Sequence, residues 1–122
     1  METRQEELHI RSLLIDDMRD IYCTVIARTF DDGLRIAIEL GPWDELYIDH
    51  DLGDEGNRTG YDLLMRLLQS APCYLPKKII IVTNNPVGKE RMEYVVKEID
   101  AKRKEHEEWK RNVIKKGEKG YW

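Results

Sequence analysis

The chain has 122 residues, of which 36% are charged and 41% hydrophobic, and its formal net charge is −4. This length predicts one compact domain, residues 1–122, and the hydrophobic fraction excludes a disordered chain. The two cysteines lack CxxC spacing, which fits a reducing compartment. Because the sequence shows no N-terminal apolar segment and no apolar run of about 18 residues, we expect neither a signal peptide nor a membrane span. We therefore expect a cytoplasmic protein with no membrane partner.

Strands and helices are predicted in alternation along the chain. Apolar and β-branched runs predict the strands 8–15, 23–29, 45–48 and 79–83. The last of these, IIIVT, has the unbroken apolar pattern of a central parallel strand. This alternation predicts an α/β domain with a mainly parallel sheet of about four strands.

Three helices connect or follow these strands. Helical spacing predicts the first over 34–40, where Asp31-Asp32-Gly33 before it is a turn or helix start and Gly41-Pro42 closes it. Thr59 is the predicted N-cap of the second, which ends before Ala71-Pro72 and whose apolar face is Tyr61, Leu64, Met65 and Leu68. Asn85 caps the third, a long helix over 86–116 that begins at Pro86. Its apolar stripe is Met92, Val95, Val96, Ile99, Trp109, Val113 and Ile114.

One connection does not fit an ordinary parallel sheet. Only about six residues separate Asp17 from the second strand, whereas a parallel crossover normally needs about a dozen. Either this connection is an unusual loop, or the second strand is not a direct parallel neighbour of the first.

Polar side chains follow three of the predicted strands where these end. They are Asp16-Asp17, Asp49-His50-Asp51 and Thr83-Asn84-Asn85. Ligands of open α/β sheets bind at the carboxyl ends of the strands, and carboxylates gathered there repel unless a cation neutralises them. Oxygen ligands suit Mg²⁺ or Mn²⁺, so the pattern predicts such an ion together with a phosphate. The alternative for any single aspartate is a turn or N-cap residue.

Other metal and nucleotide motifs are excluded by spacing. Residues 49–60 are not an EF-hand, because Asp54 stands where that loop needs glycine and Gly60 where it needs glutamate. No Cys/His pair has zinc-ligand spacing, and the P-loop and GxGxxG fingerprints are absent.

Four motifs carry a resemblance to a known family. They are LLIDDMR (13–19), YIDHDLG (47–53), TGYDLL (59–64) and NPVGKERM (85–92). In this order, over roughly residues 12–96, the chain resembles the cyclic-phosphate processing receiver-like family, a divergent branch of the two-component receiver fold. The resemblance implies a receiver/flavodoxin-like three-layer α/β/α domain with a long C-terminal helix. It also implies action on cyclic phosphates in nucleotide chemistry.

The resemblance further implies roles for single residues. Asp16, Asp17 and Asp49 match the family's metal-binding acids, and His50 and Asp51 complete its DHD element. The implied catalytic set is therefore Asp49, His50 and Asp51, in which Asp49 holds the metal or acts as nucleophile. His50 transfers the proton.

The substrate-binding set comes from two other motifs. Thr83 and Asn85 match the Ser and Asn of the family's HSxNPxG element, and Gly88 and Arg19 complete the set. The histidine of that element falls on Val82, a departure from the family pattern. The lysine that receivers carry after a fifth strand has no counterpart, which disfavours reversible phospho-signalling.

Two functions remain as predictions. The favoured one is a metal-dependent phosphoesterase that binds Mg²⁺ or Mn²⁺ and a phosphate-containing small molecule, a nucleotide or RNA end. The alternative is a non-catalytic receiver-like binding or regulatory module whose C-terminal helix contacts a partner or forms a homodimer. Residues 1–76 carry 7 basic and 16 acidic side chains, and residues 77–122 carry 13 and 8. The basic excess in 77–122 makes nucleic-acid binding a third option. This option is weaker than the other two, because the charge of the segment is mixed in sign.

Overall fold

The computed structural model of the protein describes residues 10–118, and their side chains as far as Val113. Its strands are β1 (Ser12–Ile15), β2 (Val25–Ala27), β3 (Glu45–Ile48) and β4 (Lys78–Ile81). Its helices are α1 (Phe30–Glu39), α2 (Gly60–Leu68) and α3 (Pro86–Glu118), and a 3₁₀ turn spans Pro72–Tyr74. The predicted order of strands and helices is confirmed. Residues 8 and 9 of the first predicted strand lie outside the described residues.

The four strands form one parallel sheet in the order β2-β1-β3-β4. Ile15 of β1 pairs with Ile48 of β3, which in turn pairs with Ile81 of β4. Three strands therefore end at the same level, and the residues that follow them emerge side by side at one edge of the sheet.

β2 is a direct parallel neighbour of β1, so the first of the two predicted options, an unusual loop, is the right one. Residues 16–24 form this loop without a helix. The chain needs to return only the length of a four-residue strand, about 13 Å, which nine extended residues span easily. Arg28 secures the loop by donating to the carbonyls of Asp16 and Arg19.

The three helices pack on one face of the sheet. Buried residues of the helices, such as Phe30, Leu64 and Val95, share one core cluster with alternate strand residues. Leu13 and Ile15 belong to this cluster, whereas Leu14 between them does not. These findings confirm the receiver/flavodoxin-like α/β class. Of the three predicted α/β/α layers, the described residues supply the sheet and one helical layer. The loop of residues 16–24 stands where a first crossover helix would cover the other face of the sheet.

Threonines cap the first two helices. The Thr29 side chain accepts from the backbone N–H of Asp32, so α1 begins at Phe30, before the predicted 34. Thr59 and Asp62 form a reciprocal capping box at the start of α2, as the predicted N-cap requires. The predicted apolar face of α2 is partly wrong. Leu63, Leu64 and Leu67 are buried, while Tyr61, Met65 and Leu68 only pack against the core at its margin.

Three strands are shorter than predicted. β1 begins only at Ser12, although the described residues 10 and 11 belong to the predicted strand 8–15. β2 covers only three residues of 23–29, because Thr24 exchanges side-chain hydrogen bonds with Ser12 and Arg28 turns to hold the preceding loop. β4 ends at Ile81 although the predicted strand continues to Thr83. One further backbone bond, from Val82 N–H to the Ile48 carbonyl, extends the ladder beyond it.

α3 starts as predicted, with Pro86 as its first residue and the Asn85 side chain accepting from the Gly88 N–H at 3.0 Å. Its stripe is buried at Met92, Val95 and Ile99. The charged segment that follows stays attached at first, because Lys102 donates to carbonyls at the end of α2. Trp109, also predicted to lie in the stripe, is 58% exposed and stacks on His106. The side chain of Ile114 lies outside the described residues.

No helix in the described part of the chain is both long enough and apolar enough to cross a membrane.

We expect Thr59→Ala to lower the free energy of unfolding by about 1 kcal/mol, the usual cost of losing a threonine N-cap. The physical reason is that the N–H of Asp62 loses its acceptor. Thr59→Ser keeps the hydroxyl and serves as the control. Urea unfolding of the three proteins checks the prediction, and equal destabilisation by both substitutions would contradict it.

Candidate active site

Three carboxylates converge at the carboxyl edge of the sheet, as the strand-end pattern predicts. Asp16 and Asp17 follow β1, and Asp49 follows β3, its paired neighbour. One oxygen from each lies within 4.8 Å of the other two. Asp16 is only 1% exposed, while the other two are half-buried. We refer to these three residues as the acidic cluster.

Asp16 is held in place by its own loop. One of its oxygens accepts from the N–H groups of Met18 and Arg19, at 3.0 and 2.9 Å. The other accepts from Nη1 of Arg19 at 2.9 Å. A buried charge is tolerated only when it is hydrogen-bonded in this way, and these bonds fix the direction of the carboxylate.

Arg19 reaches across the acidic cluster. Its Nη1 lies 3.8 Å from Oδ2 of Asp49 and also donates to the carbonyl of Val82. The side chain is 35% exposed, and among the described residues its Nε and Nη2 have no hydrogen-bond partner. Arg19 thus has donors left for an anionic ligand, as its predicted substrate-binding role requires.

The acidic cluster fits a hard divalent cation. Oxygens bound to one Mg²⁺ at about 2.1 Å lie up to about 4 Å apart, so carboxylate oxygens that already lie within 4.8 Å of one another need at most small side-chain rotations. Three carboxylates and one guanidinium leave two negative charges, which a divalent ion neutralises. To bind an ion, Asp16 must release or share the oxygen that Arg19 now contacts.

His50 lies beside the acidic cluster with its side chain 13% exposed. Its backbone N–H donates to Oδ1 of Asp49 at 2.7 Å, and its Nδ1 lies 3.1 Å from Oδ1 of Asp51. Because a carboxylate only accepts, we assign the Nδ1 proton to this bond, which leaves Nε2 as the basic nitrogen of the neutral ring. In the described part of the chain, Nε2 has no hydrogen-bond partner. His50 therefore keeps one ring nitrogen without a protein partner in that part of the chain, as its predicted proton-transfer role requires.

Asp51 does not join the acidic cluster. Its side chain is 72% exposed, and within the described residues its one side-chain hydrogen bond goes to the His50 ring. Asp51 is therefore placed to orient the imidazole, and its predicted catalytic role stays a prediction.

Asn85 and Thr83 form the opposite side of the site. Oγ1 of Thr83 accepts from the Asn85 N–H at 3.2 Å, which turns the chain from β4 into α3. The Asn85 side chain caps α3 through its oxygen, and its amide nitrogen lies 3.5 Å from Nδ1 of His50. With the Nδ1 proton donated to Asp51, this is a close approach of two donors and not a hydrogen bond. The N-terminus of α3, a place where anions are stabilised, thus faces His50.

Glycines allow the close approach of these groups. A Cβ on Gly88 would lie 2.5 Å from Cδ2 of His50, so Gly88 has a packing role, while its predicted substrate-binding role stays a prediction. Gly60 lies against the Asp49 carbonyl, where a Cβ would come within 2.0 Å. Gly53 has φ +61°, and a Cβ there would lie 2.8 Å from a carboxylate oxygen of Asp17. Gly53 and Gly60 were absent from the predicted site, although both occur in the quoted motifs.

A cavity of about 620 Å³ opens next to Asp17. Its walls come from the β2–α1 and β3–α2 connections and include Arg28, Phe30 and Arg58. None of these three carries a sequence signal for function, because each lies outside the strand-end clusters.

Comparison with known proteins gives one family match. The family model described as cyclic-phosphate processing receiver domain matches residues 11–98, which include the acidic cluster, His50 and the start of α3. No curated protein and no solved structure matches the chain.

We expect Gly88→Ala to displace the His50 ring without unfolding the domain, because the new methyl group overlaps the imidazole while alanine favours the helix by about 1 kcal/mol. Ring resonances in ¹H–¹³C spectra should shift for His50 and stay in place for His106. The control is Val87→Ala at the neighbouring exposed position. Unchanged His50 resonances in Gly88→Ala would show that the contact is wrong.

Proposed function

Because the chain belongs to the family of cyclic-phosphate processing receiver domains, we propose that it is a metal-dependent phosphoesterase that opens cyclic phosphates. The observation that carries this proposal is the position of the acidic cluster beside both His50 and the N-terminus of α3. A cation site, a proton-transfer group and an anion-binding helix end then meet at one edge of the sheet.

Asp16, Asp17 and Asp49 would hold Mg²⁺ or Mn²⁺. When bound, such an ion stabilises negative charge on phosphoryl oxygens and lowers the pKa of a coordinated water. The cluster's share of this work is to supply oxygen ligands from rigid strand ends, with Asp16 fixed by three hydrogen bonds.

The phosphate would be bound by groups that surround the cluster. Arg19 offers Nε and Nη2, the guanidinium donors that suit phosphate oxygens. Thr83 and Asn85 offer a hydroxyl and an amide. At the start of α3, the N–H of Val87 has no partner among the described residues, and it adds a donor to the helix dipole. These donors stabilise the charge that builds up on the phosphoryl oxygens during hydrolysis.

His50 would carry the proton. Hydrolysis forms a bond from a water oxygen to phosphorus, breaks one ester bond of the ring, and moves a proton from the water to the leaving oxygen. Nε2 of His50 takes up the proton from the water and then donates it to the leaving oxygen. Asp51 holds Nδ1, the other ring nitrogen, at 3.1 Å. No further reagent is needed.

Val82 favours a second candidate, a non-catalytic binding module of the same family. Val82 stands where the resemblance predicts a histidine, and in the structure it contributes its carbonyl to Arg19. In this candidate the site binds a cyclic phosphate without cleaving it. Binding without turnover would distinguish it from the enzyme.

We expect Mg²⁺ or Mn²⁺ to stabilise the fold. An ion that binds only the native state contributes about 2.7 kcal/mol at 100 times its dissociation constant, and here it also relieves repulsion between carboxylates. Thermal melts with millimolar metal or with EDTA measure the effect. Asp49→Asn should abolish it.

The matched control is Asp44→Asn. Asp44 lies at the opposite end of β3 and pairs with Lys77, so this variant should keep the metal-induced shift. If neither metal changes the melting temperature of the wild type, the metal site is excluded.

We expect His50→Ala to lower turnover by about 10²–10⁴-fold, the usual contribution of one general acid–base group. The assay is hydrolysis of 2′,3′- and 3′,5′-cyclic nucleotides and of a linear phosphodiester, each with Mg²⁺, Mn²⁺ or EDTA. Val82→His tests the departure from the family pattern and should raise the rate where the ring finds room. No hydrolysis of any cyclic phosphate by the wild type would exclude the enzyme, and unchanged turnover in His50→Ala would exclude His50 as the proton carrier.

A further inference from the structure

The cavity beside Asp17 is not used by the phosphate contacts described above. Its volume of about 620 Å³ lies within the ~300–1,000 Å³ of ordinary small-molecule sites. Because Asp17 belongs both to the acidic cluster and to the wall of the cavity, a ligand whose phosphate meets the cluster can extend the rest of its structure into this space.

Arg58 forms a rigid planar surface in the cavity. Its guanidinium makes two hydrogen bonds to Asp54, at 3.0 and 2.8 Å, and two to Asp31, at 2.9 and 3.2 Å. One face of the guanidinium is covered by the Phe30 ring, whose centroid lies 4.2 Å from Cζ. The side chain remains 40% exposed and lines the cavity, so part of it is accessible to a ligand there. Guanidinium planes stack well on flat rings.

Arg58 is poorly suited to bind a second phosphate, because two carboxylates already compensate its charge. Its hydrogen bond is the main reason that the pKa of Asp54 falls to about 2, so the pair stays ionised at neutral pH. Arg28, the other basic residue of the wall, is bound to Asp20 and to two backbone carbonyls. The charged residues that remain on the wall are acids, among them Asp32 and Glu55.

We propose that this cavity is the subsite for the base of a nucleoside cyclic phosphate, with the base stacked on Arg58. The acidic wall then favours the amino and hydroxyl donors of a nucleoside and disfavours substrates that carry a further phosphate. The subsite rests on the proposed function, since the cyclic phosphate must bind at the acidic cluster.

The test compares three ligands by titration calorimetry with Mg²⁺ present, on His50→Ala protein to prevent turnover. They are adenosine 2′,3′-cyclic phosphate, the same compound with a 5′-phosphate, and ribose 2′,3′-cyclic phosphate without a base. Stacking on a cationic plane should make the nucleoside bind about tenfold more tightly than the ribose compound. Repulsion from the wall should make the 5′-phosphate weaken binding by roughly fivefold.

Two variants assign these effects to the cavity. Arg58→Lys keeps the charge but removes the plane, so the advantage of the base should disappear. The control is Arg91→Lys, because Arg91 also stacks on an aromatic ring, that of Tyr61, but lies away from the cavity. This variant should keep the affinity advantage of the base. Melts verify that each variant is folded.

The second variant, Asp32→Asn with Glu55→Gln, leaves the ion pairs of Arg58 intact. It should abolish the discrimination against the 5′-phosphate, whereas Glu98→Gln with Glu105→Gln, an equal charge change on α3, should preserve it. This pair keeps the proposal testable where Arg58→Lys fails to fold.

The outcomes separate this inference from the proposed function. Equal affinity for the nucleoside and the ribose compound would overturn the base subsite alone. Tighter binding of the 5′-phosphorylated ligand would overturn the role of the acidic wall. If none of the three ligands binds, the proposed function fails and the subsite fails with it.

Discussion

The parallel pairing of β1 with β3 is the constraint on which the site depends. Because Ile15 and Ile48 are partners, the next residues, Asp16 and Asp49, emerge side by side. The register is fixed by burial, since Leu13 and Leu46 also pair and both are completely buried on the helical face. A slip by one residue would turn these leucines to the other face. The hydrophobic core therefore maintains a close approach of carboxylates that electrostatics alone opposes.

The short loop between β1 and β2 supplies a positive charge that offsets part of the repulsion between these carboxylates. A helix at this place would carry the chain away from the strand ends. The loop instead folds back, and its Arg19 places a guanidinium between Asp16 and Asp49. The same segment thus supplies two acids and the cation that offsets part of their charge. Arg28 links this loop to the end of β2, so the conformation of the acidic cluster depends on contacts from the edge of the sheet.

Two glycines without side chains position His50 as much as its hydrogen bonds do. Gly88 lets α3 approach the imidazole, and Gly60 lets α2 approach the backbone beside it. Asp51 then sets the direction of Nδ1, and the amide nitrogen of Asn85 lies 3.5 Å from the same atom. With a valine at position 82, the described site has a single imidazole, and its chemistry depends on how well these contacts hold it.

The sequence by itself determined the alternating strands and helices, the threonine and asparagine caps of α2 and α3, and the strand-end clusters. These are local signals, carried by apolar periodicity and by side chains that bond their own backbone. It did not determine that β2 pairs directly with β1, that Leu63 and Leu67 are buried, or that Trp109 is exposed, because these depend on which surfaces meet. The role of Gly88 against His50 and the pairing of Arg58 with Asp31 were also decided only by the tertiary structure. Residues far apart in the chain make those contacts, and no local pattern encodes them.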